Sequence, residues 1–252
     1  MIPRQPLRLT QIAARFALHA ALLAVLCAAC AATAHAGDAT IVYHKVFPGS
    51  DPEFVEIRVG QVQGATWDIR QIADAADPQP LDIRPALRAK IFALAAALNN
   101  FDGVDLNVHR RLANLGQKTF RYERDGVVHE TTFNYTMDSN ASQLLEIFEG
   151  FTRQQVDLLS IEHSMKYDRL GINDALMQFE DDLNERTLPQ PDALLPALDK
   201  IAADSRFLNL ARERARSLAE RIRAATGAPP ASAPSPPAAP GAQRSRGPAP
   251  QR

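Results

Sequence analysis

Apolar residues recur at helical spacing through one long stretch, residues 140–170, closed by Gly171. Leu144, Phe151, Leu158 and Met165 repeat every seven residues, and Ile147 and Ile161 sit beside them. At about 100° per residue, Leu145, Phe148, Val156 and Leu159 widen this stripe to well over half the circumference. The pattern predicts a single long helix packed on two sides, and the rest of the chain is read around it.

Upstream, the period changes from helical to alternating. Residues 39–47 are rich in β-branched and aromatic types and predict a strand. Val55, Ile57 and Val59 alternate with Glu56 and Arg58, which predicts a half-buried strand over 54–59. Residues 65–72 predict a third strand with Trp67 and Ile69 inward, and 74–80 a loop. Ile83, Leu87, Ile91, Leu94, Leu98 and Phe101 form a clean stripe that predicts a helix over 83–101, with Pro85 in its first turn. Residues 104–116 have no period and are expected to be irregular.

The strongest local signal is Asp125-Gly126, between alternating stretches at 118–124 and 127–135. A two-residue Asp-Gly turn of type I′ matches strand twist and sets the register. Arg124 then faces Val127, Tyr122 faces His129, Arg121 faces Glu130 and Phe120 faces Thr131. Phe120, Tyr122, His129 and Phe133 share the core face.

Downstream of the long helix the chain stays helical. Ile172, Leu176, Phe179 and Leu183 predict a surface helix with Asn173 as N-cap. Two prolines break the chain at 187–191. Helices follow at 194–203 and 206–225, the second striped by Leu208, Ala211, Ala215, Leu218 and Ile222 and stopped by Gly227. The expected fold class is α+β. A small antiparallel sheet, ordered β-β-β-α-β-β, packs with one helix over 37–137. A helical subdomain of about four helices occupies 138–226.

The two ends do not fit a packed core. Arg4, Arg8 and Arg15, the apolar run from Phe16 to Cys30 and Ala34-His35-Ala36 read as a signal peptide over 1–36. The run is short of the roughly 20 residues a membrane span needs. Cys27 stands where a lipoprotein signal at Cys30 would carry an aliphatic residue. Localisation is therefore expected in the periplasm or outside the cell. Both cysteines lie in that segment, so the mature chain would have none, excluding disulfides and thiolate chemistry. Eight prolines fall among residues 227–252, which predicts a disordered Pro/Ala-rich tail. Such a tail, from residue 228 on, could reach an envelope protein or a cell-wall component.

Between Gly37 and Thr226 the chain carries 22 basic and 29 acidic residues. No basic stripe marks a nucleic-acid partner. No phosphate loop, dinucleotide fingerprint, serine elbow or metal-ligand spacing is present, so neither cofactor nor metal is expected. One cluster is out of place: Glu162, His163, Tyr167, Asp168 and Arg169. Glu162 falls at the wheel angle of Leu144, inside the apolar arc. Burial there would raise its pKa and make a general acid; alternatively Glu162 pairs with an arginine, while Asp168 and Arg169 clamp the corner before Gly171. Tyr122 with His129 is a second pair, with a semi-buried histidine at a sheet rim as the plainer reading. The acids at 180–182 and 185 read as a solvated helix face. The leading expectation is a non-catalytic module that binds a ligand or partner at the seam between its halves; the alternative is an extracytoplasmic hydrolase using Glu162 as general acid/base.

Overall fold

The computed structural model describes residues 37–228. The expected signal segment, 1–36, and residues 229–252 of the tail lie outside the described residues. Among the described residues the fold is α+β, with a six-stranded antiparallel sheet and five α-helices. The chain divides into two compact units, the first running to Phe148 and the second starting at Glu149.

In the first unit the strands are β1 (Thr40–Val46), β2 (Phe54–Gly60), β3 (Ala65–Arg70), β4 (Gln79–Leu81), β5 (Gln117–Arg124) and β6 (Val127–Phe133), in the spatial order β4-β3-β2-β1-β5-β6. The expected strand count was one short. β4 has three residues, one of them Pro80, which is too few to alternate. It exists because it pairs with β3, and its proline suits a sheet edge. The hairpin register is the one Asp125-Gly126 dictates: Arg124 opposite Val127, Tyr122 opposite His129, Arg121 opposite Glu130 and Phe120 opposite Thr131. Asp125 and Gly126 both take positive φ, as a type I′ turn requires.

One sheet face is apolar. Ile41, Tyr43, Ile57, Val59 and Phe120 are wholly buried there. The facing helical residues come from α1 (Pro85–Ala97), the short 3₁₀ turn after it, and the start of α2 (Ser139–Tyr167). Phe148 stacks on Tyr43 at 5.1 Å, and Phe101 on Phe120 at 5.4 Å. Helix α1 ends earlier than its stripe suggested, because Asn99, Asn100 and Phe101 have left-handed backbone, which turns the chain and still buries Phe101.

The opposite face is polar. The register sets Thr132, Thr119, His44, Glu56 and Asp68 in one row across five strands. Arg58 bridges to Glu123 at 2.7 Å, and Arg121 lies 3.8 Å from Glu130. This face is polar in composition but only partly in water, since Asp68 is buried and His44 half-buried. The irregular segment 104–116 carries no helix or strand and is tied to the end of β6 by Asn134. Its Oδ1 accepts from Leu115 N at 2.7 Å and its Nδ2 donates to the Ala113 carbonyl at 2.8 Å.

Helix α2 is unbroken over 29 residues, but it is not greasy around most of its girth. Val156 and Leu159 are 38% and 42% exposed, while Gln154, Gln155 and Asp157 are buried. A wheel assumes one environment along the whole rod. Here Leu144 and Phe148 are buried in the first unit, and Ile161 belongs to the core of the second.

The second unit adds α3 (Ile172–Asn184), α4 (Leu195–Ala203) and α5 (Asn209–Thr226). Ile161, Leu176, Phe179, Leu198, Ile201, Leu218 and Ile222 form its core. The expected N-cap, Asn173, lies one residue inside α3 instead; Gly171 precedes the helix, and the Asn173 side chain accepts from Arg214 at 3.2 Å. Leu208 is exposed at the start of α5 rather than in its stripe, because the helix begins at Asn209.

The segment after α3 crosses α2 at Gly150. A Cβ there would strike the Thr187 carbonyl oxygen and come within 2.9 Å of Pro189 Cδ. Just beyond, Gln154 Oε1 accepts from Gln190 N at 3.0 Å. Gly-to-Ala in a helix interior ordinarily gains about 1 kcal/mol. Gly150→Ala should reverse that sign and lose about 1–3 kcal/mol, because backbone rather than a flexible side chain must move. Thermal melts followed by far-UV circular dichroism test this, and a variant as stable as the parent would contradict the close crossing.

Candidate functional site

The cluster singled out from the sequence lies at the C-terminal end of α2 and is solvent-exposed. Glu162 and His163 are exposed. Tyr167 is 66% exposed, with Lys166 Nζ 4.8 Å from its ring centroid and the His163 ring at 5.1 Å. Asp168 Oδ1 accepts from Gly171 N at 3.0 Å and so holds the corner, while Arg169 lies near enough to Asp204 to act on its charge. Glu162 stays in water because the second unit packs against the Leu158–Ile161–Met165 side of the helix. Tyr122 and His129 belong to the first unit, opposite each other on the hairpin with ring centroids 6.4 Å apart. His44 occupies the polar sheet face, where burial lowers its pKa, Glu56 opposes that, and Arg70 adds to it.

Two features of the second unit escaped the sequence reading. The first is a pair of buried carboxyls. Asp157 on α2 and Asp182 on α3 are 4% and 8% exposed. Asp182 is therefore no part of a solvated face: it follows Phe179 by three residues and continues the buried stripe. Its Oδ2 accepts from Gln178 Nε2 at 3.3 Å, and Arg153 Nε stands 3.5 Å from Oδ1. Burial pushes the Asp157 carboxyl up to about 7; the charge of Asp182 and a hydrogen bond to it push the same way, and Arg153 opposes them. Asp157 Oδ2 is buried with no hydrogen-bond partner among the described residues. A protonated Asp157 donating to Asp182 resolves both strains, since a lone buried carboxylate is costly.

The second feature is a cavity of about 350 Å³. Its apolar wall is Leu183 from α3, Leu188 and Pro191 from the segment after α3, and Ile222 and Ala225 from α5. Two arginines, Arg186 and Arg221, complete the lining. Arg221 is fixed: it donates to Glu180 Oε1 at 2.9 Å and to Asn184 Oδ1 at 2.6 Å. Glu180 also holds Arg214. The Arg186 side chain makes no ion pair or hydrogen bond among the described residues. Its backbone is left-handed, φ +58°, one residue past Glu185, the C-cap of α3. At the end of α5 the same conformation is given to a glycine, Gly227. A side chain in that region costs about 1–2 kcal/mol, and such strain concentrates at functional positions.

Neither carboxyl of the buried pair lines the cavity, and neither does any residue singled out from the sequence. One signal was legible: an arginine just past the C-cap of a helix and before a proline-marked break, where glycine is the usual residue. Among the described residues no three His, Cys, Asp or Glu gather as a metal site, and no helix is long and apolar enough to cross a membrane. The sequence matches no protein-family model and no curated protein.

Proposed function

We propose that this is an exported bacterial protein that works as a non-catalytic binding module, and that the cavity of its helical unit holds the ligand. The observation that carries the reading is the joining of apolar walls to a strained, uncommitted arginine. Pockets that bind small molecules are mostly apolar with a few placed polar groups, and run from about 300 Å³ upward. Export rests on the basic, apolar and small-residue pattern of residues 1–36, with the periplasm as destination. The tail from residue 228 is assigned to an envelope protein or a cell-wall component. The hydrolase alternative draws no support from Glu162, which lacks the burial that would make it a general acid.

A thermal-shift screen of the full chain against small molecules tests the reading. A ligand at a hundredfold excess over its Kd adds about 2.7 kcal/mol, enough to raise the melting temperature by several degrees. Ala225→Phe, which fills the cavity from an exposed position, should abolish those shifts. Hits that persist in this variant, or a screen without hits, would overturn the proposal.

A further inference from the structure

The cavity has a polarity that identifies its ligand class, and this step rests on the binding reading above. Two cations line it, but they are not equivalent. Arg221 is already bound to Glu180, a carboxylate it shares with Arg214, and is oriented by Asn184. Arg186 is exposed, has no partner among the described residues, and lines the cavity from the left-handed turn that follows α3. Arg186 N donates to the Leu183 carbonyl at 3.2 Å, and Leu183 itself lines the cavity, so the Arg186 backbone is tied to the apolar wall by one hydrogen-bonded turn. The lining holds two arginines and no acid, and Arg186 is the one of the two not already bound to a carboxylate. The wall behind it, Leu188, Pro191 and Ile222, offers no acceptor or donor side chain for a polar body.

We infer that the cavity binds a monocarboxylate with a short aliphatic body, its carboxylate paired with Arg186 and its hydrocarbon against Leu183, Leu188 and Ile222. A planar guanidinium suits a planar carboxylate, which it can hold with two parallel hydrogen bonds. The volume lies at the small end of ligand pockets, which favours a short body. Because Arg186 remains wet, the carboxylate need not be stripped of water, and the expected gain over a neutral analogue is at the lower end for a charged hydrogen bond, about tenfold in affinity.

The experiment is calorimetric titration of the full chain with octanoate, octanol and octylamine. Octanoate should bind about tenfold tighter than octanol, and octylamine weakest. Arg186→Ala should bring octanoate down to the octanol value and leave octanol unchanged; Arg216→Ala, which removes an exposed charge from the same unit outside the lining, should change neither. Arg186→Gly adds a readout that does not depend on affinity alone. It should melt higher, because glycine accepts the left-handed turn, while losing the preference for octanoate. Equal binding of octanoate and octanol, or an octanoate affinity unmoved by Arg186→Ala, would overturn the ligand class and leave the cavity reading standing. If none of the three probes binds and the library screen is empty as well, the cavity reading fails with it.

Discussion

Phe120→Ala should remove about 3–5 kcal/mol from the first unit, the range for emptying a buried aromatic site. Phe120 is fully buried on β5, between β1 and the edge strand β6, and four other rings surround it. Tyr43 lies 5.9 Å away, Phe101 5.4 Å, Phe133 5.1 Å and Phe148 6.1 Å, centroid to centroid. These rings come from β1, the 3₁₀ turn after α1, β6 and α2, so no one neighbour can relax into the space without dragging a second element. Edge and offset contacts add about 0.5–1.5 kcal/mol per pair beyond burial. Against a usual total of about 5–15 kcal/mol, the loss is a large fraction. Trp67 is the only tryptophan in the chain and lies on β3 of the same unit, so its fluorescence in a denaturant titration reports this unit. A midpoint within experimental error of the parent would show that the aromatic cluster does not hold the sheet to its helices.

The second large effect is a dependence on pH that one substitution removes. In the unfolded chain Asp157 titrates near 3.9; folded, it is pushed up to about 7. A group whose pKa rises on folding contributes stability that is fully present below the unfolded pKa and is lost as pH climbs through the folded one. The window therefore runs from about pH 4 to about pH 7, with a plateau above. Three units at about 1.4 kcal/mol each put the whole effect on the order of 4 kcal/mol. Asp157→Asn keeps the shape, and its amide N–H can donate to Asp182 as the protonated acid does, but it cannot ionise. The variant should lose the slope between about pH 4 and about pH 7 and be more stable than the parent on the plateau above it. Far-UV circular dichroism of denaturant unfolding at several pH values measures this, with Asp182→Asn as an intermediate case, since it removes the neighbouring charge and leaves the burial. Identical slopes for parent and Asp157→Asn would mean the carboxyl carries no proton at neutral pH.

The parts of the fold that were legible beforehand are those governed by neighbours in sequence. Asp125-Gly126 sets the register of β5 and β6 through turn geometry alone. The stripe through Ile91, Leu94 and Leu98 declares α1, and Pro85 marks its start. Strand β4 was illegible because three residues containing Pro80 have no period of their own. The interior of α2 was misread for a different reason. Val156 and Leu159 are apolar and exposed while Gln154, Gln155 and Asp157 are buried, because partners on other elements, Asp182 and Gln190, make burial of polar groups tolerable.

The amino-acid order by itself determined the class of fold, the succession of strands and helices apart from β4, the hairpin register and the composition of the two ends, since all of these follow from local dihedral preferences and from the period at which apolar side chains recur. Only the tertiary structure decided which charged residues leave water. Glu162 and Asp157 are both carboxylates on one helix, five residues apart. What separates an exposed acid from one that holds its proton to about pH 7 is the surface each meets, and for Asp157 that surface includes α3, the next helix in the chain. The cavity belongs to the same category, because its lining is brought together from the end of α3, the segment that follows it and the last turns of α5.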